Sequence, residues 1–496
     1  MSESDHLPVF HVVGFTGHRQ VQNAPGLEQA IDAVLAELQR DASVEWVALS
    51  SVAAGGDMLF ARTALRLGLG WEAVLPLPPA EFCRDFSEVT WSDVEALLAQ
   101  SEQVRVIGSR AQREDAYLDC GMETVNHCDL LLAVWDGEPA RGRGGTAEIV
   151  AYAREIGRPL VIINPRMFTV RREHFDRLQL GDRHLSRLND LAPVPSALPP
   201  AAAEPDDDRS RVQAFHAKAD HAATHSAPHF RMLITITISL HVLATMLAAA
   251  TLAFDLHLPA IPWSKLLCLM AALGVALLLR YRRDRHDWMR FRLAAEITRS
   301  ALATWGLPRA LRLFDDFDWA GLEPLRRSLD VLQRRSARAR PVEFDEFKQR
   351  YLNGRIRGQL VYFTHQEARA IPWLKRLRGG FYVVSVLAIC FAAAHASHSL
   401  IPEVIAPGWV QRWVYGFSPI MLPVFAAVLI SLVSINDLHR RVARYKEMQV
   451  RLEAARKEGT FVQTWGSLER VVAKAERALL QEVFEWHSIT SFTESH

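Results

Sequence analysis

Four long apolar segments in the second half of the chain restrict its fold more than any other feature of the sequence. The first, Met232 to Phe254, has 23 residues and no formally charged side chain. A helix rises about 1.5 Å per residue, so this segment matches the roughly 30 Å hydrocarbon core of a bilayer. The other three are Ile261 to Leu279, Phe381 to Ile401 and Val414 to Ile435. We therefore predict four transmembrane helices.

Positive charge is distributed unevenly around these segments. The loop at residues 255–259 holds no Lys or Arg, and the loop between the third and fourth segments holds only Arg412. The opposite flanks carry many basic residues: Arg280, Arg282, Arg283, Arg285, Arg290, Arg292, Lys375, Arg376, Arg378, Arg440, Arg441, Arg444 and Lys446. The positive-inside rule then predicts a multi-pass protein of the inner (plasma) membrane with both termini in the cytoplasm.

Short apolar runs alternate with helical patterns through the first 165 residues. The predicted strands are Val9 to Val13, Val44 to Ser50, Trp71 to Leu75, Val104 to Ile107, Leu130 to Trp135 and Leu160 to Ile163. Their continuous apolarity is typical of parallel strands that are covered on both faces, and the segments between them are long enough for crossover helices. The predicted fold is an α/β Rossmann-like, doubly wound parallel sheet followed by an all-α membrane domain.

The composition along the chain predicts four regions. Residues 1–170 form the α/β domain, and 171–228 form a helical tail and a linker rich in Pro, Ala and Asp at 196–208. Residues 229–340 hold the first transmembrane pair with cytoplasmic helices, and 341–496 hold the second pair with a C-terminal cytoplasmic helix. A basic helical pattern follows each pair, which suggests a duplication.

The overall composition excludes several kinds of protein. A formal net charge of +1 argues against a dedicated nucleic-acid binder, so no nucleic-acid partner is expected. The five cysteines show no paired metal spacing, and His395 and His398 are too few for a metal site. We expect no metal and no required cofactor.

Three glycine-containing loops follow predicted strands and are the best candidates for a ligand site. They are Gly14 to Arg19 (GFTGHR), Ser50 to Asp57 (SSVAAGGD) and Trp135 to Glu148 (WDGEPARGRGGTAE). All three follow the carboxyl ends of parallel strands, the edge at which open α/β sheets bind ligands. Glycine lets the main chain approach a phosphate, and helix N-termini offer N–H groups to anions. A tight turn without a ligand is the alternative for each loop.

Roles can be proposed within the first loop. Gly14, Thr16 and Gly17 would form the floor of a phosphate site, with His18 and Arg19 adding positive charge.

The other two loops would complete the site. In the second, Ser51, Gly55 and Gly56 precede Asp57, which would accept a hydrogen bond from a ribose or base or would cap the helix. In the third, the predicted contacts with a second phosphate or a ribose come from Asp136, Gly144, Gly145, Thr146 and Glu148. Capping or helix-dipole complementarity is the alternative for each acid. Arg141 and Arg143 lie in the same Gly-rich loop, where they can be solvated.

Together these three motifs resemble the SLOG superfamily, which is related to the DNA-processing protein DprA and the LOG phosphoribohydrolases. The resemblance covers about the first 165 residues and implies a domain that binds a nucleotide-derived ligand. The phosphoribohydrolase motif carries a proline before its glycines and a glutamate three residues after the threonine. Here the proline is missing and Glu148 stands two residues after Thr146. One residue turns a helical side chain by about 100°, so we favour binding over hydrolysis.

A second resemblance lies in the membrane half. Tyr351, Arg355, Gln359, Tyr362 and Ala368, just before the third apolar segment, resemble the helix that opens the SLATT two-transmembrane domains. The pattern covers about residues 342–485, with a degenerate copy at 210–310. The resemblance implies a pore-forming or membrane-damaging effector of bacterial conflict systems.

The sequence therefore predicts a membrane effector that senses a nucleotide-derived signal and permeabilises or remodels the bilayer, in bacterial anti-phage or conflict defence and as a homo-oligomer. The alternative is a membrane-anchored nucleotide N-glycosidase in which Glu148 and Asp57 act on the substrate. A ligand-free scaffold is the third interpretation.

Overall fold

The computed structural model of the chain describes residues 6–41, 43–108, 113–140, 142–178, 183–192, 208–225, 230–256, 258, 260–281, 284–308, 311, 321–400 and 407–492. Most of the predicted linker, Arg141 and much of both predicted outer loops lie outside these residues. The chain forms two compact units. Unit 1 combines Met1–Lys218 with Trp305–Val342, and unit 2 combines Ala219–Thr304 with Glu343–His496.

Unit 1 is built on a seven-stranded sheet with the strand order β4-β3-β2-β1-β5-β6-β7. The strands are β1 Val9–Gly17, β2 Val44–Ser50, β3 Gly70–Leu75, β4 Gln103–Val106, β5 Leu130–Val134, β6 Leu160–Ile163 and β7 Val170–Glu173. The first six are parallel, and β7 pairs antiparallel with β6. The predicted doubly wound parallel sheet is therefore confirmed, with one strand more than the sequence indicated.

Helices cover both faces of this sheet. They are α1 Ala24–Leu38, α2 Gly56–Arg66, α3 Pro79–Phe82, α4 Glu88–Gln100, α5 Arg113–His127, α6 Thr146–Glu155 and α7 Arg183–Asn189. In α1 the buried residues recur at helical spacing: Leu27, Ile31, Val34, Leu35 and Leu38. Burying each such side chain contributes about 1.5–3 kcal/mol, so this apolar stripe fixes which face of α1 meets the sheet.

The edge strand β7 corrects one prediction. The sequence predicted that Arg171 starts a charged helical tail, whereas Arg171–Glu173 belong to β7. Glu173 accepts two hydrogen bonds from Arg154 of α6, at 2.7 and 2.9 Å. A charged strand is tolerated here because β7 lies at the edge of the sheet and its side chains are largely exposed.

Unit 2 consists of helices. They are the C-terminal part of α8 Asp208–His225, from Ala219 onwards, then α9 Phe230–Phe254, α10 Ala260–Tyr281, α11 Asp284–Ala303, α13 Phe344–Arg350, α14 Arg357–Leu400, α15 Gly408–Val410, α16 Ser418–Ile435, α17 Leu438–Phe461 and α18 Trp465–Phe492. Two π-helical turns, Tyr351–Ile356 and Gln411–Phe417, connect α13 to α14 and α15 to α16. The helix α12, Glu323–Ala339, belongs to unit 1.

Four helices in the described chain are long and apolar enough to cross a membrane, as predicted. The first two candidate spans are Met232–Phe254 and Ala260–Leu278. The other two lie within longer helical stretches, Phe344–Ser397 and Gly408–Phe461, which extend well beyond the apolar segments. Within unit 2, α9 packs with α10 and α14 packs with α16. Phe254 and Trp413 meet edge to face at 4.9 Å, so the two pairs also contact each other.

The grouping of the chain into units differs from the predicted regions at one segment. Residues 305–340 were assigned to the first transmembrane region, but the structure places Trp305–Val342 with the sheet. Trp305 donates from Nε1 to Ser336 Oγ at 2.8 Å, and Ser328 of α12 donates to the carbonyl of Pro8 at 2.6 Å. Hydropathy could not reveal this, because the segment contains no membrane span and its partners lie about 300 residues away.

Candidate functional site

The three predicted loops meet at the carboxyl edge of the sheet. Strand β1 lies between β2 and β5, so the loops that follow these three strands open side by side. The N–H of Gly56 donates to the carbonyl of His18 at 3.0 Å. His18 Nε2 lies 3.3 Å from both the Oδ1 atom and the backbone nitrogen of Asp136. The first loop is therefore in direct contact with the other two.

Strand β1 is longer than predicted, which changes the position of two predicted floor residues. Gly14 and Thr16 lie inside β1, and the turn begins only after Gly17. A Cβ on Gly14 would lie 2.8 Å from Cβ of Cys128, because α5 packs closely there. The structure thus explains Gly14 by helix packing beneath the edge.

Gly17 stands at the last position of β1 and is also constrained by packing. A Cβ there would lie 2.8 Å from a ring carbon of Phe15, which is buried and stacks on Phe60 at 4.6 Å. A substitution at Gly17 would disturb the core as well as the loop. The following helix starts at Ala24, and the Asn23 side chain caps it by accepting from the N–H of Gly26.

The loop after β2 has an unusual backbone. Val52 is fully buried and has a φ of 57°, a conformation that is costly for a β-branched residue. Gly55 has a φ of 88°, and a Cβ there would lie 2.3 Å from the carbonyl oxygen of Arg19. Gly55 is also the N-cap of α2, and no side chain caps this helix. The first N–H of α2, that of Gly56, is bonded to the carbonyl of His18, and the N-cap offers no side-chain acceptor to the N–H groups that follow.

Asp57 is buried in the first turn of α2. Its Oδ1 atom accepts hydrogen bonds from Ser50 Oγ at 3.0 Å and Ser51 Oγ at 2.8 Å. Burial raises the pKa of this carboxyl to about 6, although the two serines and the positive charge of Arg19 act in the opposite direction. Asp57 is not the N-cap, since Gly55 takes that position. The structure thus gives this acid a local role with Ser50 and Ser51.

The loop after β5 is braced by its own acids. Asp136 accepts from the N–H of Glu138 at 3.1 Å, and Glu148 accepts from the N–H of Gly144 at 2.6 Å. Gly144 has a φ of 75°, and Gly145 is the N-cap of α6 without a side-chain cap. Thr146 is buried at the first position of α6. Glu148 therefore holds the loop closed beside a second helix N-terminus.

Helix α5 contributes residues that the sequence analysis missed. The guanidinium carbon of Arg19 lies 5.1 Å from the ring centre of Tyr117, a cation–π distance. The buried Tyr117 hydroxyl has no hydrogen-bond partner in the described chain. Arg143 pairs with Asp115 at 2.7 Å, so the glycine loop is fastened to α5. Burial raises the pKa of the Cys120 thiol, and the nearby negative charge of Asp57 acts in the same direction.

No sequence signal identified these α5 residues, because the segment only indicated a crossover helix. Their position at the edge follows from the way α5 packs on β1 and β3.

This arrangement suits a ligand with negative charge and polar groups. Arg19 is exposed and lies over an aromatic ring, and two helices open at glycines that leave their N-termini without a side-chain cap. Positive charge and helix N-termini both favour anions. Among the described residues no cluster of His, Cys, Asp or Glu could hold a metal ion.

Two concavities found in the structure lie in unit 2. One of about 410 Å³ is lined by residues of α9 between Met232 and Leu243. The other, of about 560 Å³, is lined by residues that include Lys348, Arg357 and Arg456. Neither includes a predicted site residue. The edge of the sheet is therefore a candidate because of its loops and charges, not because of a large cavity.

Comparison with known protein families gives one match. Residues 214–305 match the family described as "SMODS and SLOG-associating 2TM effector domain 3". The match covers the end of α8 and all of α9, α10 and α11. It thus falls on the transmembrane pair that the sequence analysis treated as a degenerate copy, and the sheet lies outside it. The chain matches no curated protein.

Proposed function

We propose that this protein is a membrane effector whose sheet binds a nucleotide-derived ligand and whose helices then permeabilise the bilayer. The membrane part of the proposal is supported by the similarity of residues 214–305 to a two-transmembrane effector domain and by four candidate membrane helices. The biological setting that we propose is bacterial anti-phage or conflict defence, at the inner membrane and as a homo-oligomer.

The proposal that the sheet binds a ligand rests mainly on the exposed guanidinium of Arg19. It lies between helices α2 and α6, each of which has a glycine as its N-cap. Arg19 rests on Tyr117, and its positive charge reaches the buried carboxyl of Asp57. The helices α2 and α6 begin on either side of β1 without side-chain caps. A phosphate placed here would meet positive charge from three directions, and a sugar or base would find the Tyr117 ring.

The strained backbone at Val52 supports the same site. A buried β-branched residue at positive φ costs roughly 1–3 kcal/mol and persists only where the surrounding structure enforces it. Such strain clusters at ligand sites, and Val52 belongs to the loop that carries Ser51 and Gly55.

An enzyme would need a carboxylate that is free to act on the ligand. Glu148 is engaged with the N–H of Gly144, and Asp57 is engaged with Ser50 and Ser51. Both contacts favour a binding site over the alternative of a nucleotide N-glycosidase.

The test starts with mass spectrometry of the small molecules that the full-length protein retains in detergent. The retained compound is then added to vesicles that contain the protein and a trapped dye. We expect leakage that Arg19→Ala reduces at least tenfold, whereas Arg19→Lys retains part of it. Arg40→Ala, an exposed arginine just beyond the end of α1, serves as the matched control.

Three results would contradict the proposal. They are a protein that retains no anionic compound, vesicles that never leak at saturating ligand, and conversion of the ligand to a free base, which would favour the enzyme.

A further inference from the structure

The amino-terminal edge of the sheet, opposite the candidate ligand site, is covered by helix α12. The buried side of this helix consists of Leu325, Ser328, Leu329, Val331, Leu332 and Gln333. The helix packs against β1, and the Ser328 hydroxyl donates to the carbonyl of Pro8. In the chain, α12 lies between the second and third candidate membrane spans.

Arginines of α12 pair with acids at the starts of the strands. Arg327 pairs with Asp129 beside β5, and Arg334 pairs with Glu72 of β3. Arg335 lies 2.8 Å from Glu45 of β2. Each acid stands near the amino end of its strand, so the helix runs across the whole central sheet.

The far end of α12 is fastened in the same way. Arg335 also contacts Glu102, just before β4, at 3.3 Å, and its guanidinium lies 4.9 Å from the ring centre of Phe10. Arg338 donates to the carbonyls of Ala99 and Ser101 at the end of α4, at 2.7 and 2.8 Å. Basic side chains at a helix C-terminus are favourable, because the terminal carbonyls carry partial negative charge.

The acids on the sheet depend on these arginines. Burial raises the pKa of Glu102 and the nearby Glu72 acts in the same direction, whereas Arg335 and Arg334 lower it. Helix α12 therefore supplies the positive charge for two neighbouring carboxylates, Glu72 and Glu102. The interface therefore combines a buried apolar side, which includes Leu325, Leu329 and Leu332, with partly buried charge pairs, in which the loss of one partner is costly. Reversing one of these charges therefore weakens the docking of α12.

The connection that follows α12 is short. The helix ends at Ala339 and α13 begins at Phe344, so four residues separate them. From α13 the chain continues through the π-helical turn Tyr351–Ile356 into α14, which carries the third apolar segment. Four residues span at most about 14 Å, so α12 cannot move far without pulling on α13.

We propose that α12 is a restraint that holds the membrane helices in their resting arrangement while it is docked on the sheet, and that releasing it permits permeabilisation. The inference rests on the proposed membrane activity and adds its regulation. Strands β1 and β2 each run from the edge covered by α12 to the edge with the candidate ligand site. Strand β1 carries Phe10 under Arg335 and ends at the turn with Arg19. Strand β2 carries Glu45, the partner of Arg335, and leads into the loop with Ser51. A ligand that shifts these strands changes the fit of α12.

The test releases α12 without any ligand. The full-length protein carrying Arg334→Glu is placed in vesicles of phosphatidylethanolamine and phosphatidylglycerol that contain carboxyfluorescein. We expect dye release at least tenfold faster than with the unmodified protein, and faster hydrogen exchange in residues 323–339. Adding Glu72→Arg to this variant restores an ion pair between the same two positions with the charges exchanged. The double variant should therefore return the leakage rate and the hydrogen exchange of α12 towards the values of the unmodified protein.

Hydrogen exchange in β1 and β2 shows whether the sheet remains folded in each variant. Rapid exchange in α12 without leakage overturns the restraint, as does leakage that the charge swap leaves unchanged. If the unmodified protein leaks with its retained ligand but the released variant does not, the restraint fails and the proposed function stands. If neither ever leaks, both fail.

Discussion

At the scale of single residues, the candidate site is a place where several local preferences are violated together. Val52 adopts a positive φ, Gly55 approaches the carbonyl of Arg19 too closely for any side chain, and Asp57 is buried. Proteins retain such features where a binding geometry must be fixed in advance. The sequence indicated that glycines were needed in this loop, but it did not indicate the strain at Val52.

The buried carboxyl of Asp57 predicts a dependence of stability on pH. Its folded-state pKa of about 6 exceeds the ordinary value of 3.8, so the folded state holds this proton more tightly. The resulting stabilisation is complete below about pH 4 and is lost as the pH rises through about 6. The free energy of unfolding of Asp57→Asn, relative to that of the unmodified protein, should therefore rise by roughly 2–3 kcal/mol between pH 4 and pH 7. Thermal unfolding in detergent, followed by tryptophan fluorescence, measures this difference.

Asp41 provides a control of opposite sign. Its hydrogen bonds from Ser43 lower its pKa, so it contributes stability that is lost as the pH falls. Asp41→Asn should therefore lose stability relative to the unmodified protein as the pH rises. A stability difference for Asp57→Asn that does not change with pH would contradict a buried, titrating carboxyl.

At the scale of elements, the π-helical turn before α14 is fastened to α18. Glu476 is fully buried and receives hydrogen bonds from Arg355 Nε and Nη2, at 2.9 and 2.8 Å, and from the Tyr351 hydroxyl at 3.0 Å. Tyr351 and Arg355 are two of the residues that carry the SLATT resemblance, and here they hold the helices of unit 2 together. π-Helical turns are found frequently at functional sites, and this one lies in the chain between α12 and the third apolar segment.

We predict that Glu476→Gln destabilises unit 2 by about 3–5 kcal/mol, because it leaves the Arg355 charge buried without its partner. The double variant Arg355→Met with Glu476→Met removes both charges and should cost less than the single change. Tyr351→Phe removes one hydrogen bond and should cost about 1 kcal/mol. Thermal unfolding of the detergent-solubilised protein ranks the three variants, and a Glu476→Gln protein as stable as the original would rule out this ion pair as a structural link.

At the scale of the whole molecule, the chain passes between its two units three times, after Lys218, Thr304 and Val342. The sheet is therefore completed by a segment that comes after the first membrane pair. One consequence is that unit 1 cannot form fully until the second candidate span has been synthesised. Another is that the sheet and α12 must lie on the same side of the membrane, which agrees with the predicted cytoplasmic location of the segment between the second and third spans.

We predict that a reporter fused after His496 is cytoplasmic and that a tag inserted at Pro259 is reached from outside the cell. The reason is the near absence of Lys and Arg from both predicted outer loops. Labelling of intact and permeabilised cells with a reagent that does not cross membranes distinguishes the two sides. A tag at Pro259 that reacts only after permeabilisation would overturn the four-span topology.

The sequence by itself determined the features that depend on local patterns. Short apolar runs located all six parallel strands, and long, mostly uncharged segments located the four candidate spans, because length and apolarity indicate whether a segment suits a sheet core or a bilayer. The three glycine loops were placed at one edge because parallel strands share their direction.

Only the tertiary structure decided which residues meet across the chain. Arg327, Arg334 and Arg335 find their acids 198, 262 and 290 residues away, and a basic helix does not specify such partners in advance. The same holds for Tyr117 under Arg19 and for Glu476 beside Arg355. These contacts depend on how the packed helices present their faces, and burial then determines how strongly each charge interacts with its partner.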